Sequence, residues 1–295
     1  AFCFFGDLLE MVNAKLPITV NGTRFYIGSE RFFLSGANTA WVKYGADFGN
    51  GQYSASRDAY LQLLANISQA GGNSMRTWVH VDGRTSPQFD DEGYVVSLDA
   101  NGTFLSDFRR YLDDARAHNI LVFATLWNGA SVSRQYKRLL QGLLTDTSKL
   151  QSYIDHALVP WVRAVKDHPA LGGWDIINEM EGVIITGEKE NNPCFDTRFL
   201  EGSTAGFAEE LYHARQLQRF INWQVDAIRR VDPSALVTAG SWRQLSQTDQ
   251  LGGRNLYKDQ CLVKAGGRVR GTLTFYSTHV YAILDLLFWP DAAFK

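Results

Sequence analysis

Residues 171–181 read Leu-Gly-Gly-Trp-Asp-Ile-Ile-Asn-Glu-Met-Glu, and this stretch decides the fold that the sequence predicts. Its first seven residues form a short, mostly apolar run, which is typical of a buried parallel strand. The run ends abruptly in Asn178 and Glu179, an amide beside a carboxyl group. Two interpretations are open at this point. Either the pair caps the next helix, or it lies at the carboxyl end of a strand, where an enclosed carboxyl group can donate a proton.

Strand-like and helix-like patterns alternate on both sides of this stretch. The predicted strands are residues 31–37, 73–79, 120–126, 171–177, 235–239 and 273–279. The predicted helices are residues 54–70, 105–118, 148–165 (kinked or divided at Pro160) and 205–231. A hairpin over residues 18–27, turning at Asn21-Gly22, precedes them. This alternation predicts a parallel sheet with right-handed crossovers.

Two architectures contain such alternating units, an open doubly wound sheet and a closed (β/α)8 barrel. Residues 36–41, after the first predicted strand, contain no glycine-rich phosphate loop of the kind that open sheets use. Long polar loops over residues 81–103, 180–204 and 240–271 follow strands two, four and five, as they do at the functional face of a barrel. We therefore predict an α/β (β/α)8 barrel with six of its eight units present.

The predicted barrel forms one domain over residues 18–295, and residues 1–17 are a separate N-terminal segment. That segment is apolar at its start, and a remnant of a signal peptide is one interpretation of it. The net charge of −2 gives no electrostatic reason to expect nucleic acid or a membrane surface as a partner. No apolar run approaches the roughly 20 residues of a membrane helix. We expect a monomer.

Cysteine and sequon positions favour a secreted protein. Asn-x-Ser/Thr sequons, which predict glycosylation, occur at Asn21, Asn66 and Asn101. Cys194 and Cys261 lie in the long loops after strands four and five, which are neighbours in a barrel, so a disulfide between them is favoured over two free thiols. Cys3 has no assignable role. The three cysteines are too few and too scattered for a metal framework, and no metal or cofactor is expected.

Polar and aromatic side chains recur where the predicted strands end. In chain order they are Trp41, Arg76, Trp78, His80, Trp127, Asn128, Asn178, Glu179, Trp242, His279 and Tyr281. Together they suit the cleavage of a glycosidic bond: an acid for the leaving oxygen, an amide for a sugar hydroxyl, and indoles for stacking. Each also has a simpler interpretation, since Arg76 could form a core ion pair and the histidines and tryptophans could be packing residues.

Several of these segments resemble glycoside hydrolase family 5, and in particular the endo-β-1,4-mannanases of molluscs and other invertebrates. The matching segments are residues 33–38, 76–80, 126–129, 178–182, 193–196 and 218–224. By this resemblance, Glu179 is the general acid/base, and Arg76, Asn178, His279 and Tyr281 support the sugar that is cleaved. The substrate implied is a β-mannan or a related oligosaccharide. An endo-β-1,4-glucanase and a non-catalytic glycan-binding homologue are the alternatives.

The sequence departs from the family pattern in one respect. The family's nucleophile is a glutamate at the end of the seventh strand, and Lys295 comes before any such strand. Glu181, Asp285 and Asp291 match no nucleophile position. We therefore expect a truncated chain whose nucleophile lies beyond residue 295, and we expect residues 1–295 alone to be inactive.

Overall fold

A three-stranded antiparallel sheet opens the part of the chain that the computed structural model describes, which comprises residues 18–81, 83, 85–129, 142–202 and 211–280. Its strands are β1 (Ile18–Asn21), β2 (Arg24–Ile27) and β3 (Glu30–Phe32). Gly22 has a φ of 60°, which a residue without a Cβ adopts easily, and this confirms the predicted hairpin turn. Ile27 packs on Leu121 and Phe123 at the start of a central strand, so this sheet covers the amino-terminal end of the central sheet.

The remaining strands form the parallel sheet that carries the site and two smaller, two-stranded sheets. They are β4 (Gly36–Thr39), β5 (Ser74–Trp78), β6 (Gln88–Phe89), β7 (Val95–Ser97), β8 (Leu121–Asn128), β9 (Leu171–Asn178), β10 (Val237–Thr238), β11 (Gly240–Ser241) and β12 (Ser277–Thr278). The central order is β10-β9-β8-β5-β4, parallel throughout, while β11 pairs with β12 in parallel and β6 with β7 in antiparallel. The register sets Arg76 opposite Asn38, and Asn178 opposite Asn128.

Helices follow the strands, as the alternation predicts. They are α1 (Tyr53–Gln69), α2 (Phe104–Ala117), α3 (Thr147–Tyr153), α4 (Val159–Val165), α5 (Ala214–Val231) and α6 (Asp259–Gly266). A π-helical turn over Ile154–Leu158 joins α3 to α4. This wider turn lies just before Pro160, which has no N–H and whose ring would crowd the carbonyl four residues earlier. The irregularity predicted at Pro160 is therefore a π-turn within a continuous helical segment.

Several boundaries differ from the sequence prediction. The fifth and sixth strands, predicted over 235–239 and 273–279, are observed as the shorter β10 and β12. The predicted first strand, residues 31–37, is divided between β3 and β4. The predicted helix 205–231 begins only at Ala214, because Tyr212 forms a bridge to Ile184 and His213 caps the helix. Residues 203–210 lie outside the described part of the chain. The loops predicted over 81–103 and 240–271 contain β6, β7 and α6, elements too short to leave a clear hydrophobic period.

An aromatic core fills the space between the sheet and its helices. Phe104, Phe108, Trp161 and Trp174 are buried there and meet mostly edge to face, with ring centroids 4.8–5.0 Å apart for the pairs that involve Trp161. Such packing fixes the strands that support the site. In the described ranges, no helix has the length and apolar character needed to cross a membrane.

Candidate active site

Glu179 lies immediately after β9, where the chain leaves the sheet. Its backbone is left-handed, with φ 49° and ψ 55°, a conformation that costs a residue other than glycine about 1–3 kcal/mol. The carboxyl group is mostly enclosed, with 8% of the residue exposed. Its Oε1 lies 3.0 Å from Nδ1 of His279, which follows β12. Residues distant in sequence, at the ends of two strands, therefore meet at Glu179.

Asn178 is held from two sides by hydrogen bonds to its carboxamide. Nδ2 donates to Oδ1 of Asn128 over 2.9 Å, and Oδ1 accepts from the guanidinium of Arg76 over 3.0 Å. The residue is fully buried. The Nδ2 group carries two N–H bonds, so one remains for a ligand hydroxyl when the first is given to Asn128. The two contacts fix which edge of the amide faces the site.

Arg76 is fixed by an acid that the sequence analysis did not identify. Its Nε donates to Oδ2 of Asp175 over 2.8 Å, and a second guanidinium nitrogen contacts the same oxygen. Asp175 also accepts from the hydroxyl of Thr125 and from the backbone N–H of Gly240, over 3.1 and 3.0 Å. A lone aspartate inside a fully buried, otherwise apolar strand needs a cation as partner, and that signal could have identified it.

Two glycines allow the backbone to approach the site closely. The N–H of Gly129 donates to the carbonyl of Asn178 over 2.8 Å, and a Cβ at Gly129 would lie 2.5 Å from the carbonyl oxygen of Glu179. A Cβ at Gly240 would lie 3.1 Å from a guanidinium nitrogen of Arg76 and 3.2 Å from Nε2 of His279. Neither position has room for a larger residue unless the site residues move.

Aromatic residues at the ends of β4 and β5 adjoin Arg76. Trp78 receives the guanidinium over its ring at 5.5 Å, and its Nε1 donates to Oδ1 of Asn38 over 3.2 Å. Trp41 packs edge to face on Trp78 at 4.8 Å, and both indoles are partly exposed. Asn38 also accepts from Arg76 over 2.9 Å, although it was not among the predicted site residues. These indoles provide apolar faces beside the polar cluster.

Trp242 and Tyr281 are the remaining predicted residues near the strand ends. Trp242 follows β11, is partly exposed, and donates its backbone N–H to Oε2 of Glu181 over 2.7 Å. Tyr281 lies outside the described residues.

His80 and Trp127 lie in the core and not in the site, which corrects two of the predicted sugar contacts. His80 is completely buried, with its ring 4.8 Å from that of Trp127 and 5.6 Å from those of Tyr153 and Trp161. Burial lowers the pKa of His80 to about 3. Trp127 donates through Nε1 to Gln224 over 3.2 Å. Trp127 is the last residue but one of β8, whereas His80 lies two residues after β5 ends at Trp78, and packing against aromatic side chains of the helices buries both.

Cys194 and Cys261 form a disulfide, which confirms the predicted bridge. It joins the long loop after β9 to α6, and Phe195 packs beside it. Gln218 on α5 donates to the carbonyls of Cys194 and Leu256, over 2.7 and 2.8 Å. The bridge and the amide together hold two long loops against one helix.

The site contains the groups that acid-catalysed cleavage of a glycosidic bond requires for protonating the leaving oxygen and holding the sugar. A carboxyl group is placed by a histidine, an amide is oriented beside it, and an arginine is neutralised by a buried aspartate. Within the described ranges, no group of three or more histidine, cysteine, aspartate or glutamate residues could hold a metal ion.

Comparison with known proteins finds close relatives over most of the chain. A mannan endo-1,4-β-mannosidase of Mytilus edulis is 53% identical over 274 residues, which are 93% of this chain and 74% of the relative. One of Cryptopygus antarcticus is 43% identical over 265 residues, covering 90% of this chain and 68% of the relative. No family model matches the chain.

Solved structures agree with these sequence relatives. The β-mannanase from the blue mussel Mytilus edulis superposes with a TM-score of 0.87 at 52% identity, covering 91% of this chain and 75% of that chain. An endo-1,4-β-mannanase from Eisenia fetida superposes with a TM-score of 0.85 at 48% identity, covering 90% of this chain and 73% of that one. The superpositions confirm the predicted barrel class.

Proposed function

The chain belongs to the invertebrate-type mannan endo-1,4-β-mannosidases of glycoside hydrolase family 5, and from this premise we propose that it cleaves β-1,4-linked mannan internally. The observation that carries the proposal is the geometry at the end of β9. There the enclosed carboxyl group of Glu179 lies 3.0 Å from His279, beside an amide that Arg76 and Asn128 hold in place.

Glu179 acts in this proposal as the general acid and then as the general base. As a carboxylic acid it donates its proton to the glycosidic oxygen as the bond to the leaving sugar breaks. As a carboxylate it then accepts a proton from the water that releases the bound sugar. His279 keeps the carboxyl oxygen in one position through both steps, because the contact to Nδ1 works with either protonation state of the pair.

Asn178 and Arg76 prepare the sugar subsite in which the bond is broken. The free N–H of the Asn178 amide donates to a sugar hydroxyl, and its orientation is set before the substrate arrives. Preorganised donors of this kind stabilise the oxocarbenium-like transition state without reorganising during the reaction. Trp41 and Trp78 supply apolar faces on which sugar rings stack.

The retaining reaction needs a second carboxylate roughly 5–5.5 Å from the first. Glu181, Asp285 and Asp291 match no nucleophile position, and Tyr281 lies outside the described residues. Glu179 is thus the member of the carboxylate pair that the described site contains.

Hydrolysis assays with the full-length protein test the proposed activity. Reducing sugars should be released from mannan much faster than from carboxymethylcellulose, and viscosity should fall early, as internal cleavage requires. Equal or faster release from carboxymethylcellulose would contradict the substrate assignment. Binding of manno-oligosaccharides without any hydrolysis would indicate a glycan-binding protein instead.

Secretion and glycosylation are a second part of the proposal. The disulfide between Cys194 and Cys261 supports an oxidising compartment, and the asparagines of all three sequons, Asn21, Asn66 and Asn101, are exposed. Expression in a eukaryotic secretory host should give a protein whose mass falls on treatment with an N-glycosidase. A protein retained inside the cell, without glycans, would contradict this part.

We also propose that the protein is a monomer, which light scattering measures directly.

A further inference from the structure

Glu181 is a buried carboxyl group that the proposed mechanism does not use. It lies two residues after Glu179, and 2% of it is exposed. The end of β11 and the segment after it surround the two carboxyl oxygens of Glu181. The hydroxyl oxygens of Ser241 and Ser246 both contact Oε1, the first over 2.7 Å, and the N–H of Trp242 donates to Oε2 over 2.7 Å.

The oxygens of Glu181, Ser241 and Ser246 form a triangle, since the two hydroxyl oxygens are themselves 2.7 Å apart. Each serine supplies one proton. When Glu181 is ionised, the two serine protons can form hydrogen bonds along only two sides of the triangle. The two oxygens of the third side then face each other without a proton between them. A protonated Glu181 gives three protons for three sides, so that the acid donates to Ser246, Ser246 to Ser241, and Ser241 back to the acid. The carbonyl oxygen of Arg243, 2.7 Å from Ser241 Oγ, adds a further demand for protons.

The surroundings of Glu181 favour the same protonation state. Burial raises its pKa, and the contacts that oppose this effect are hydrogen bonds from the neutral groups of Ser241, Ser246 and the backbone. In the described part of the chain, no lysine, arginine or histidine forms an ion pair with it. The titratable side chain facing it is Tyr257, whose pKa is raised by burial and further by Glu181. Glu179, which contacts His279, lies two residues before Glu181 along the chain.

The triangle is connected to the proposed catalytic acid through Ser241. The carbonyl of Ser241 accepts the backbone N–H of His279 over 2.8 Å, and the ring of His279 contacts Glu179. A second hydrogen bond joins the same two parts of the chain: the hydroxyl of Thr278, next to His279, donates to the side chain of Gln247, next to Ser246, over 2.6 Å. Moving Ser241 would therefore move His279 relative to Glu179.

We propose that Glu181 is a positioning residue, held as a neutral carboxylic acid, that fixes the Ser241–Ser246 segment and through it the His279–Glu179 contact. The inference rests on the proposed function, because it assigns Glu181 a role in aligning the general acid/base. Glu181 also fixes the position of Trp242, whose indole is partly exposed, because the backbone N–H of Trp242 donates to the same carboxyl group.

Three variants of the full-length protein test this role, with glutamine as the decisive substitution. Glu181→Gln keeps a neutral group with a donor for the serines and an acceptor for Trp242, so it should retain kcat on mannan within about threefold. Glu181→Ala removes the anchor and should lower kcat by about tenfold or more, with a smaller change in KM, and should alter the pH profile of kcat. Ser246→Ala removes one corner of the triangle, and with it two of the three contacts, while the contact between Glu181 and Ser241 remains. This variant should give an intermediate loss of kcat, and it tests the role if Glu181→Ala does not fold.

Two measurements that need no substrate report the protonation state. The infrared spectrum of the wild type near pH 7 should contain a carboxylic acid C=O band that Glu181→Gln lacks. An acid whose pKa is raised in the folded state loses its proton at a lower pH when the chain is unfolded. The free energy of unfolding of the wild type, relative to that of Glu181→Gln, should therefore fall as pH rises from about 4.

The possible failures are distinguishable. A wild type that does not cleave mannan would contradict the proposed function, while the infrared and stability data would still report on Glu181. Glutamine as damaging as alanine, or no acid band near pH 7, would overturn the neutral acid. Glu181→Ala with the wild-type kcat and pH profile would overturn the positioning role.

Discussion

The Nδ1 atom of His279 lies 3.0 Å from Oε1 of Glu179, although the two residues are 100 positions apart in the chain. Both residues follow strand ends: β9 belongs to the five-stranded parallel sheet, and β12 to the two-stranded sheet that it forms with β11. The contact with His279 fixes the direction of the Glu179 carboxyl group. The backbone of Glu179 is left-handed at this point. The first prediction concerns this carboxyl group.

Glu179→Gln should abolish hydrolysis of natural mannan in the full-length protein while oligosaccharide binding is preserved. The amide keeps the shape of the side chain but cannot donate the proton that the leaving oxygen needs, and general acid catalysis contributes about 10²–10⁴-fold. Activated substrates with good leaving groups should lose less in the first step. Glu92→Gln, at an exposed glutamate, is the matched control. Equal activity of the Glu179→Gln variant and the wild type would refute the assignment.

Gly240→Ala should lower kcat by about 10- to 100-fold with little effect on folding. The added methyl would lie 3.1 Å from Arg76 and 3.2 Å from His279, so one of these side chains must shift away from its partner. Steady-state kinetics on mannan and thermal unfolding measure the two effects separately. Gly240 does not have a positive φ, so the added methyl acts through these contacts and not through left-handed backbone strain. Unchanged kinetics in Gly240→Ala would show that the site tolerates the displacement.

His80 should make the protein less stable as the pH falls. Burial lowers its pKa to about 3, whereas the unfolded chain binds the proton near pH 6.5, so unfolding takes up a proton between these values. The free energy of unfolding should fall by about 1.4 kcal/mol per pH unit well below pH 6.5 through this residue alone.

The contribution of His80 is isolated by comparing variants in urea unfolding at several pH values. His80→Gln should show a shallower dependence on pH than the wild type, and His156→Gln, at an exposed histidine, is the control. Parallel curves for the wild type and His80→Gln would contradict a buried neutral imidazole.

Removing the disulfide should destabilise the loops after β9 and β11. The bridge spans a sequence separation of 67, for which loop closure in the unfolded state corresponds to about 4 kcal/mol, and measured losses are about 2–5 kcal/mol. The double variant Cys194→Ala/Cys261→Ala should therefore unfold at lower urea concentration than the wild type. Reduction of the wild type by dithiothreitol should reproduce the loss, and reduction should not affect the double variant further. A double variant as stable as the wild type would show that packing on α5 holds these loops.

The sequence by itself determined the class of the fold and the position of the candidate acid. Hydrophobic periods are local, so they predicted the order of strands and helices, and the break after residues 171–177 identified Asn178 and Glu179. The hairpin at Asn21-Gly22 and the disulfide followed from turn chemistry and from the adjacency of strands in a barrel. Predicted boundaries failed where elements are only two or three residues long or where a cap displaces a helix start, as at His213.

Only the tertiary structure decided which polar and aromatic residues share the site. Asp175 is a charged residue in an otherwise apolar strand, but only the sheet identified Arg76 as its partner, and Glu181 gained its partners only when the end of β11 and the segment after it folded over it. His80 and Trp127 resembled site residues in sequence, but packing between the sheet and its helices buried both in the core. The physical reason is that the direction of a side chain at a strand end depends on register and on the local backbone. Hydrogen bonds and packing between residues distant in sequence set both of these.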